Sequence, residues 1–230
     1  MLTEIHKTSG MGDALEFLSR YHTDGEVFLN RIVTGDARET WVTHVNAETK
    51  QQSMAWGHTD SSTRLRKARQ TLSARKLMVT VFWDAQGILL IEFKTRGATI
   101  NSKVYFRTLK KLQRAIQNKR RGLLSSGLVL LHDNRNRSSA VRTGEVLRKF
   151  KWDVFQHPPY SPDMAPSDFN LFTAMKKWLG GQHFADDEEL KNAVTHWLKS
   201  QAAAFYAEGI GKLVKRYDKC LNNGGDYVEK

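Results

Sequence analysis

Leu128-Val129-Leu130-Leu131-His132-Asp133-Asn134 is a continuous apolar run that ends on a carboxylate. It is short enough for a strand buried on both faces, which puts Asp133 at that strand's carboxyl end. Working outward, Ser138 or Ser139 can cap a helix through Phe150, and Trp152 to Gln156 reads as the next strand. All four prolines of the chain, Pro158, Pro159, Pro162 and Pro166, follow at once, so the backbone there is predicted stiff and non-helical. Ser167 then offers an N-cap, and Leu171, Phe172, Met175 and Trp178 mark the buried stripe of a helix that stops at Gly180-Gly181. Asp168 falls in its first turn, where the helix dipole favours a negative charge. A further helix spans roughly residues 186–204, and residues 205–220 hold another.

Upstream, Leu77, Val79, Val81 and Trp83 alternate with other residues, Asp84-Ala85-Gln86-Gly87 supplies turn chemistry, and Ile88 to Phe93 returns as the second arm of a β-hairpin. Tyr105, Phe106, Leu109, Leu112 and Ile116 then recur at helical spacing, with Lys103, Arg107, Lys110, Lys111 and Arg114 on the other faces. Before the hairpin, residues 43–75 carry no sustained apolar period and close on Arg64, Arg66, Lys67, Arg69 and Arg75. Such an extended basic loop is longer than an ordinary connection, which points to function. Residues 31–36, with Ile32 and Val33 ahead of Gly35-Asp36, read as a strand or its end. Ala14, Leu15, Leu18 and Tyr21 give a lead-in helix that ends near Gly25. The order of elements is a mixed α/β pattern.

Composition sets bounds that agree. A chain of 230 residues with 40% apolar content can bury a full core as one large domain, or as one domain with an appendage. Lys and Arg number 36 against 24 Asp and Glu, a net charge of +12, and the pI is near 9.8. That balance suits a polyanionic partner. One cysteine, Cys220, excludes an internal disulfide and suits a reducing compartment. No stretch reaches the roughly eighteen apolar residues of a membrane span, and Met1-Leu2-Thr3-Glu4 does not open a signal peptide. The expectation is a soluble, intracellular protein that meets no membrane.

By residue type alone, an aspartate after a strand is more often a turn residue or a helix cap than a metal ligand. On that footing Asp36 ranks with Asp84, and Asp163 competes with Asp168. Thr34-Gly35-Asp36, His132-Asp133-Asn134 and Tyr160-Ser161-Pro162-Asp163-Met164-Ala165-Pro166, in that order, resemble the signatures of mariner-family DNA transposases. Glu48-Thr49-Lys50-Gln51-Gln52-Ser53-Met54 and Leu179-Gly180-Gly181-Gln182-His183-Phe184 extend the likeness over nearly the whole chain. Thirty-four residues separate Asp133 from Asp168, the interval the resemblance implies between the second and third metal-binding aspartates.

The resemblance implies a ribonuclease H-like fold of the retroviral integrase and transposase type, a mixed central sheet with flanking helices. Residues 28–230 would be the catalytic domain, and residues 1–27 a lead-in helix with the remnant of an interdomain linker. Asp36, Asp133 and Asp168 become the catalytic, metal-binding carboxylates for two Mg²⁺ or Mn²⁺ ions, because hard divalent cations take carboxylate oxygens and a metal pair serves in-line phosphodiester chemistry. Asp163 and the prolines become scaffold, and Asp84 a hairpin-turn residue. The implied activity is DNA cleavage at transposon ends and strand transfer into TA target DNA, in the nucleus, by a homodimer. Candidate contacts to double-stranded DNA are Arg64, Arg66, Lys67, Arg69, Lys110, Lys111, Arg114, Lys119, Arg120, Arg121, Arg135 and Arg137.

Three departures from the family pattern stand out. Ala37-Arg38 precede Glu39-Thr40-Trp41 as if two residues were inserted after Asp36, a change that would shift Trp41 or bulge the strand. Arg135-Asn136-Arg137-Ser138 replaces a run that commonly carries a histidine, and adds two cations near the site. A full-length member carries paired helix-turn-helix modules ahead of this point, and here Leu2 matches the end of the linker motif that helps build the dimer. Sequence-specific reading of transposon ends is then expected to be weak, binding to run through phosphates, and dimerisation to be weakened. These departures support an alternative, a decayed or domesticated transposase-derived domain that binds DNA without transposing it. His132 reads as a buried strand histidine, Trp41, Trp83, Trp152 and Trp178 as core, and Cys220 as packing.

Overall fold

The structure is a computed structural model that describes residues 2–35, 40–43, 76–94, 102–132, 147–158 and 161–229. Helix α1 (Glu4–Asp24) opens with a capping box, in which the His6 N–H donates to Thr3 Oγ1 and the Thr3 N–H donates to His6 Nδ1. It closes at Gly25, whose φ of 55° lies in the left-handed region that glycine tolerates. Five residues of α2 (Glu26–Asn30) lead into β1 (Ile32–Gly35), and β2 (Thr40–Thr43) follows. The predicted hairpin is β3 (Lys76–Asp84) and β4 (Gly87–Lys94), turning at Ala85-Gln86 with the Gln86 N–H donating to Asp84 Oδ1 at 2.9 Å. Asp84 is therefore a turn residue, as the sequence suggests.

Helix α3 (Ser102–Lys119), a short α4 (Arg121–Ser125) and β5 (Val129–His132) come next. Residues 147–150 are helical and β6 (Asp153–Gln156) follows. A 3-10 turn (Pro162–Met164), a π-helical turn (Ser167–Phe172) and helices α5 (Thr173–Leu179), α6 (Asp187–Ser200) and α7 (Ala203–Asn222) complete the described chain.

The six strands form one mixed sheet. Antiparallel β4 and β3 lie beside β1, and β5 and β6 continue parallel to β1. Strand β2 pairs with β3 on the same edge as β1. Gly35 faces Phe82 and Thr40 faces Val79, so four residues separate the two pairs on one side and two on the other. The stretch between β1 and β2 is thus two residues longer than the stretch of β3 it runs beside.

Alternation along β3 sends its side chains to two cores. Leu77, Val79, Val81 and Trp83 pack with α1, α5, α6 and α7, where Phe17 stacks on Tyr217 with ring centroids 4.2 Å apart. Phe82 packs on the other face with Val33, Leu89 and Leu130 under Tyr105, Leu109, Leu112 and Ile116 of α3. The amphipathic helix predicted for residues 103–117 is this cover, each fully buried leucine contributing about 1.5–3 kcal/mol. Helices on both faces of a mixed sheet match the expected architecture.

Three local expectations need correction. The inward face of α1 is Gly10, Ala14 and Phe17, and Leu15 is 57% exposed. Gly10 lets the chain end approach, since a Cβ there would stand 3.4 Å from the Gly225 carbonyl. Ser167 is not an N-cap; Pro166 holds that place and the winding that follows is π-helical. The helix expected over residues 186–204 stops at Ser200, and α7 starts anew at Ala203. Among the described residues, Trp83 and Trp152 are buried, Trp178 is half-buried against Trp197, and Cys220 is buried. No described helix is long and apolar enough to cross a membrane. The extended basic loop and the side chains of Trp41 and His132 lie outside the described residues.

Candidate active site

Two interior strands end side by side. β1 and β5 run parallel, pairing Ile32 with Val129, Val33 with Leu130 and Thr34 with Leu131. Asp36 and Asp133 stand the same 97 positions apart as each of these pairs. Both aspartates lie outside the described residues, as do Arg64, Arg66, Lys67, Arg69, Arg135 and Arg137. The residues before them, Gly35 and His132, terminate neighbouring strands. Gly35 is required by close approach, because a Cβ on it would stand 2.4 Å from Phe82 Cδ1 and 2.7 Å from the Val81 carbonyl.

At these strand ends Thr34, Gly35, Leu131, His157, Ala165, Ser167 and Asp168 line a cavity of about 20 Å³. Asp168 thus belongs to the same end of the sheet that β1 and β5 reach. Its helix is positioned from three sides. The Asp168 N–H donates to the Ala165 carbonyl at 2.9 Å, and its own carbonyl accepts from Thr173 Oγ1 at 2.7 Å, a contact five residues on that fits the π-helical winding. Trp83 Nε1 donates to Ser167 Oγ at 3.1 Å, tying the turn to β3. From α7, Lys212 Nζ donates to Asn170 Oδ1 at 2.9 Å, and Gly209 allows contact so close that a Cβ there would sit 2.5 Å from Asn170 Nδ2.

Asp163 is scaffold. Its Oδ2 accepts the Val228 N–H at 2.6 Å, and its carbonyl accepts from Arg216 Nη1 at 2.7 Å. Burial pushes its carboxyl above the usual range, opposed by the Val228 hydrogen bond. Arg216 also lies 3.9 Å over the Phe169 ring and pairs with Glu229, so the chain end braces the turn ahead of Asp168. Among the described residues no three His, Cys, Asp or Glu side chains group to hold a metal ion, and Asp168 is the one described member of the expected triad.

Sequence reasoning missed His157, which is 4% exposed at the end of β6 and lines the cavity. Its signal was its place directly after a parallel strand, the position that singled out Asp133. The α3 cations are partly engaged within the fold. Lys111 Nζ donates to Glu92 Oε1 at 2.6 Å and Lys110 lies 4.4 Å over the Phe106 ring.

Residues 46–126 match the family described as Transposase (partial DDE domain). The chain is 36% identical to the Mariner Mos1 transposase of Drosophila mauritiana over 92% of its own length and 60% of that protein. It is 31% identical to the human Histone-lysine N-methyltransferase SETMAR over 99% of its own length and 32% of that protein. It therefore spans less than two thirds of either relative. Among solved structures, the Mos1 transposase catalytic domain with Raltegravir and Mn superposes with a TM-score of 0.80 at 31% identity, covering 99% of this chain and 98% of that one. The Mos1 transposase paired-end complex with left transposon end gives 0.85 at 32% identity, covering 100% of this chain and 65% of that one. With a ribonuclease H-like sheet matched over nearly its full length, the chain belongs to the mariner transposases as a catalytic domain.

Proposed function

We propose that the chain is a divalent-metal-dependent DNA phosphodiesterase that cleaves transposon ends and transfers the 3′ strand into TA target DNA, with Asp36, Asp133 and Asp168 as its catalytic carboxylates. The observation that carries this reading is the shared offset of 97, which gives Asp36 and Asp133 the spacing of residues paired across β1 and β5, at the end where Asp168 lines the cavity. Thr34, Ser167 and Asp168 give that cavity oxygen donors, the set that suits Mg²⁺ or Mn²⁺. Two such ions would activate the attacking oxygen and stabilise the leaving one. The protein's own part is positioning. The π-helical turn fixes the Asp168 backbone, and the sheet fixes the two residues that precede Asp36 and Asp133.

The net charge of +12 supports double-stranded DNA as the partner and a nuclear setting, with the basic segment over residues 43–75 and the α3 cations contributing phosphate contacts. A homodimer is part of the same reading, supported by the paired-end assembly named for the Mos1 relative. A second reading is a domesticated DNA-binding domain, favoured by one observation: a chain this similar makes up 32% of a human protein named for histone-lysine methylation.

Incubating the protein with supercoiled DNA and Mg²⁺ or Mn²⁺ separates the two readings. Nicking is expected, lost in Asp133→Ala and Asp168→Asn and unsupported by Ca²⁺, whose loose coordination positions reacting oxygens poorly. Binding without nicking in either metal favours the domesticated reading, and nicking that survives both substitutions refutes the carboxylate assignment.

A further inference from the structure

The catalytic cavity occupies one end of β1 and β5, and a larger groove of about 480 Å³ occupies the other. It lies where the chain enters β1 at Arg31, where β3 turns at Asp84, and where α3 passes into α4 through Lys119, Arg120 and Arg121. Four residues of β1, each rising about 3.3 Å, put roughly 13 Å of strand between the two sites.

Four cations and one carboxylate line this groove. The carboxylate is spent inward: Asp84 is 2% exposed, and its oxygens accept from the Gln86 N–H and from Arg120 Nε at 3.0 Å. Arg31 is fixed by Asp24 at 2.9 Å and by the Ser126 carbonyl, and Lys119 Nζ by the carbonyls of Ile88 and Leu89. These ties hold the cationic groups in place; Arg31 and Arg120 are paired with carboxylates, whereas Lys119 meets only carbonyls and keeps its charge uncompensated. Arg121 is exposed and makes no hydrogen bond or ion pair among the described residues. Burial first, then the nearby charges of Arg120 and Lys199, lowers the Lys119 ammonium below its ordinary value.

We propose that this groove is a second DNA-backbone site, which holds duplex away from the strand that enters the catalytic cavity. The inference rests on the DNA-directed reading above. A phosphodiester chain carries charge at short, regular intervals and meets spaced cations well. An acidic peptide fits less well, because β1 and β5 are interior strands with no free edge for a peptide to join, and the apolar lining is limited to Val27 and Leu123.

Anisotropy titration of a labelled random-sequence duplex at two salt concentrations, with wild type and Arg121→Glu, tests the groove. Arg121→Glu is expected to weaken binding roughly tenfold and to lower the salt slope by about one, with an unchanged melting temperature. Equal affinity and slope for both proteins overturns the groove while leaving DNA binding intact, and no binding by wild type overturns both readings. As a second arm, Arg121→Cys carrying an aryl azide should crosslink the duplex, since Cys220 is buried and escapes labelling. Suppression of that crosslink by poly-glutamate added before irradiation, more readily than by unlabelled duplex, would assign the groove to a protein partner, and absence of the crosslink to none.

Discussion

Trp83 Nε1 donates to Ser167 Oγ at 3.1 Å in the interior, 84 positions apart in the chain, and so fastens the residue before Asp168 to the longest strand of the sheet. Trp83 is 0% exposed and Ser167 2%, so both partners are shielded from bulk water. Ser167→Ala is expected to cost about 1–3 kcal/mol, most of it the desolvation of an unpaired indole N–H. Urea unfolding of wild type and variant measures this, and a cost below about 0.5 kcal/mol would show that the bond does not hold the turn. Nicking should fall with it, because the turn sets where Asp168 stands.

Gly35→Ala should be more disruptive than its size implies. The new methyl meets a buried ring and a strand carbonyl rather than a flexible side-chain end, so β1 or β3 must shift. A loss of roughly 1–3 kcal/mol is expected, visible as a lowered melting temperature. Gly12, with open space around it, provides the control, and Gly12→Ala should raise or leave unchanged the stability of α1.

Acid stability should report on Glu92. Burial alone would raise its carboxyl, but hydrogen bonds from Lys111, Lys94 and Thr108 outweigh that and hold it at about 2, against 4.5 for the free group. A carboxyl lowered on folding contributes stability that is present above pH 4.5 and is lost as the pH falls toward 2. Unfolding free energies across that window should decline less steeply in Glu92→Gln than in wild type, and identical slopes would contradict the assignment.

How the chain grips DNA should be plain from salt. Inverted-repeat and random duplexes are expected to bind within about tenfold of each other, roughly 1.4 kcal/mol, because the phosphate contribution is independent of base sequence. Filter binding at two salt concentrations checks this, and a hundredfold preference for the repeat would show that the domain reads bases by itself.

Much of this fold is legible in the sequence because its signals are periodic. Alternation over Leu77 to Trp83 and helical spacing over Tyr105 to Ile116 each specify one face to bury, and the hairpin and α3 follow. The run before Asp133 and the prolines before Asp168 place the two candidates at the ends of elements. What stayed hidden depends on contacts between distant positions. The π-helical turn is tied to Trp83 through Ser167 and packs Asn170 against Gly209, contacts that no local pattern records. His157 is a lone buried histidine without period. The basic groove joins Arg31 to Arg121 across the fold, and α1 buries Ala14 rather than Leu15 because α7 and the chain end choose its face.

Between Gly35 and Thr40 the chain has two residues more than β3 has between their partners Phe82 and Val79, an even difference. Strand side chains alternate with a period of two, so an even insertion preserves parity. Val42 faces Leu77 and shares the core of Ile32. A single added or deleted residue at this point would turn Val42 away from the core it now shares. Beside its first candidate ligand, then, the strand parity that buries Val42 permits changes of length in steps of two and opposes changes of one.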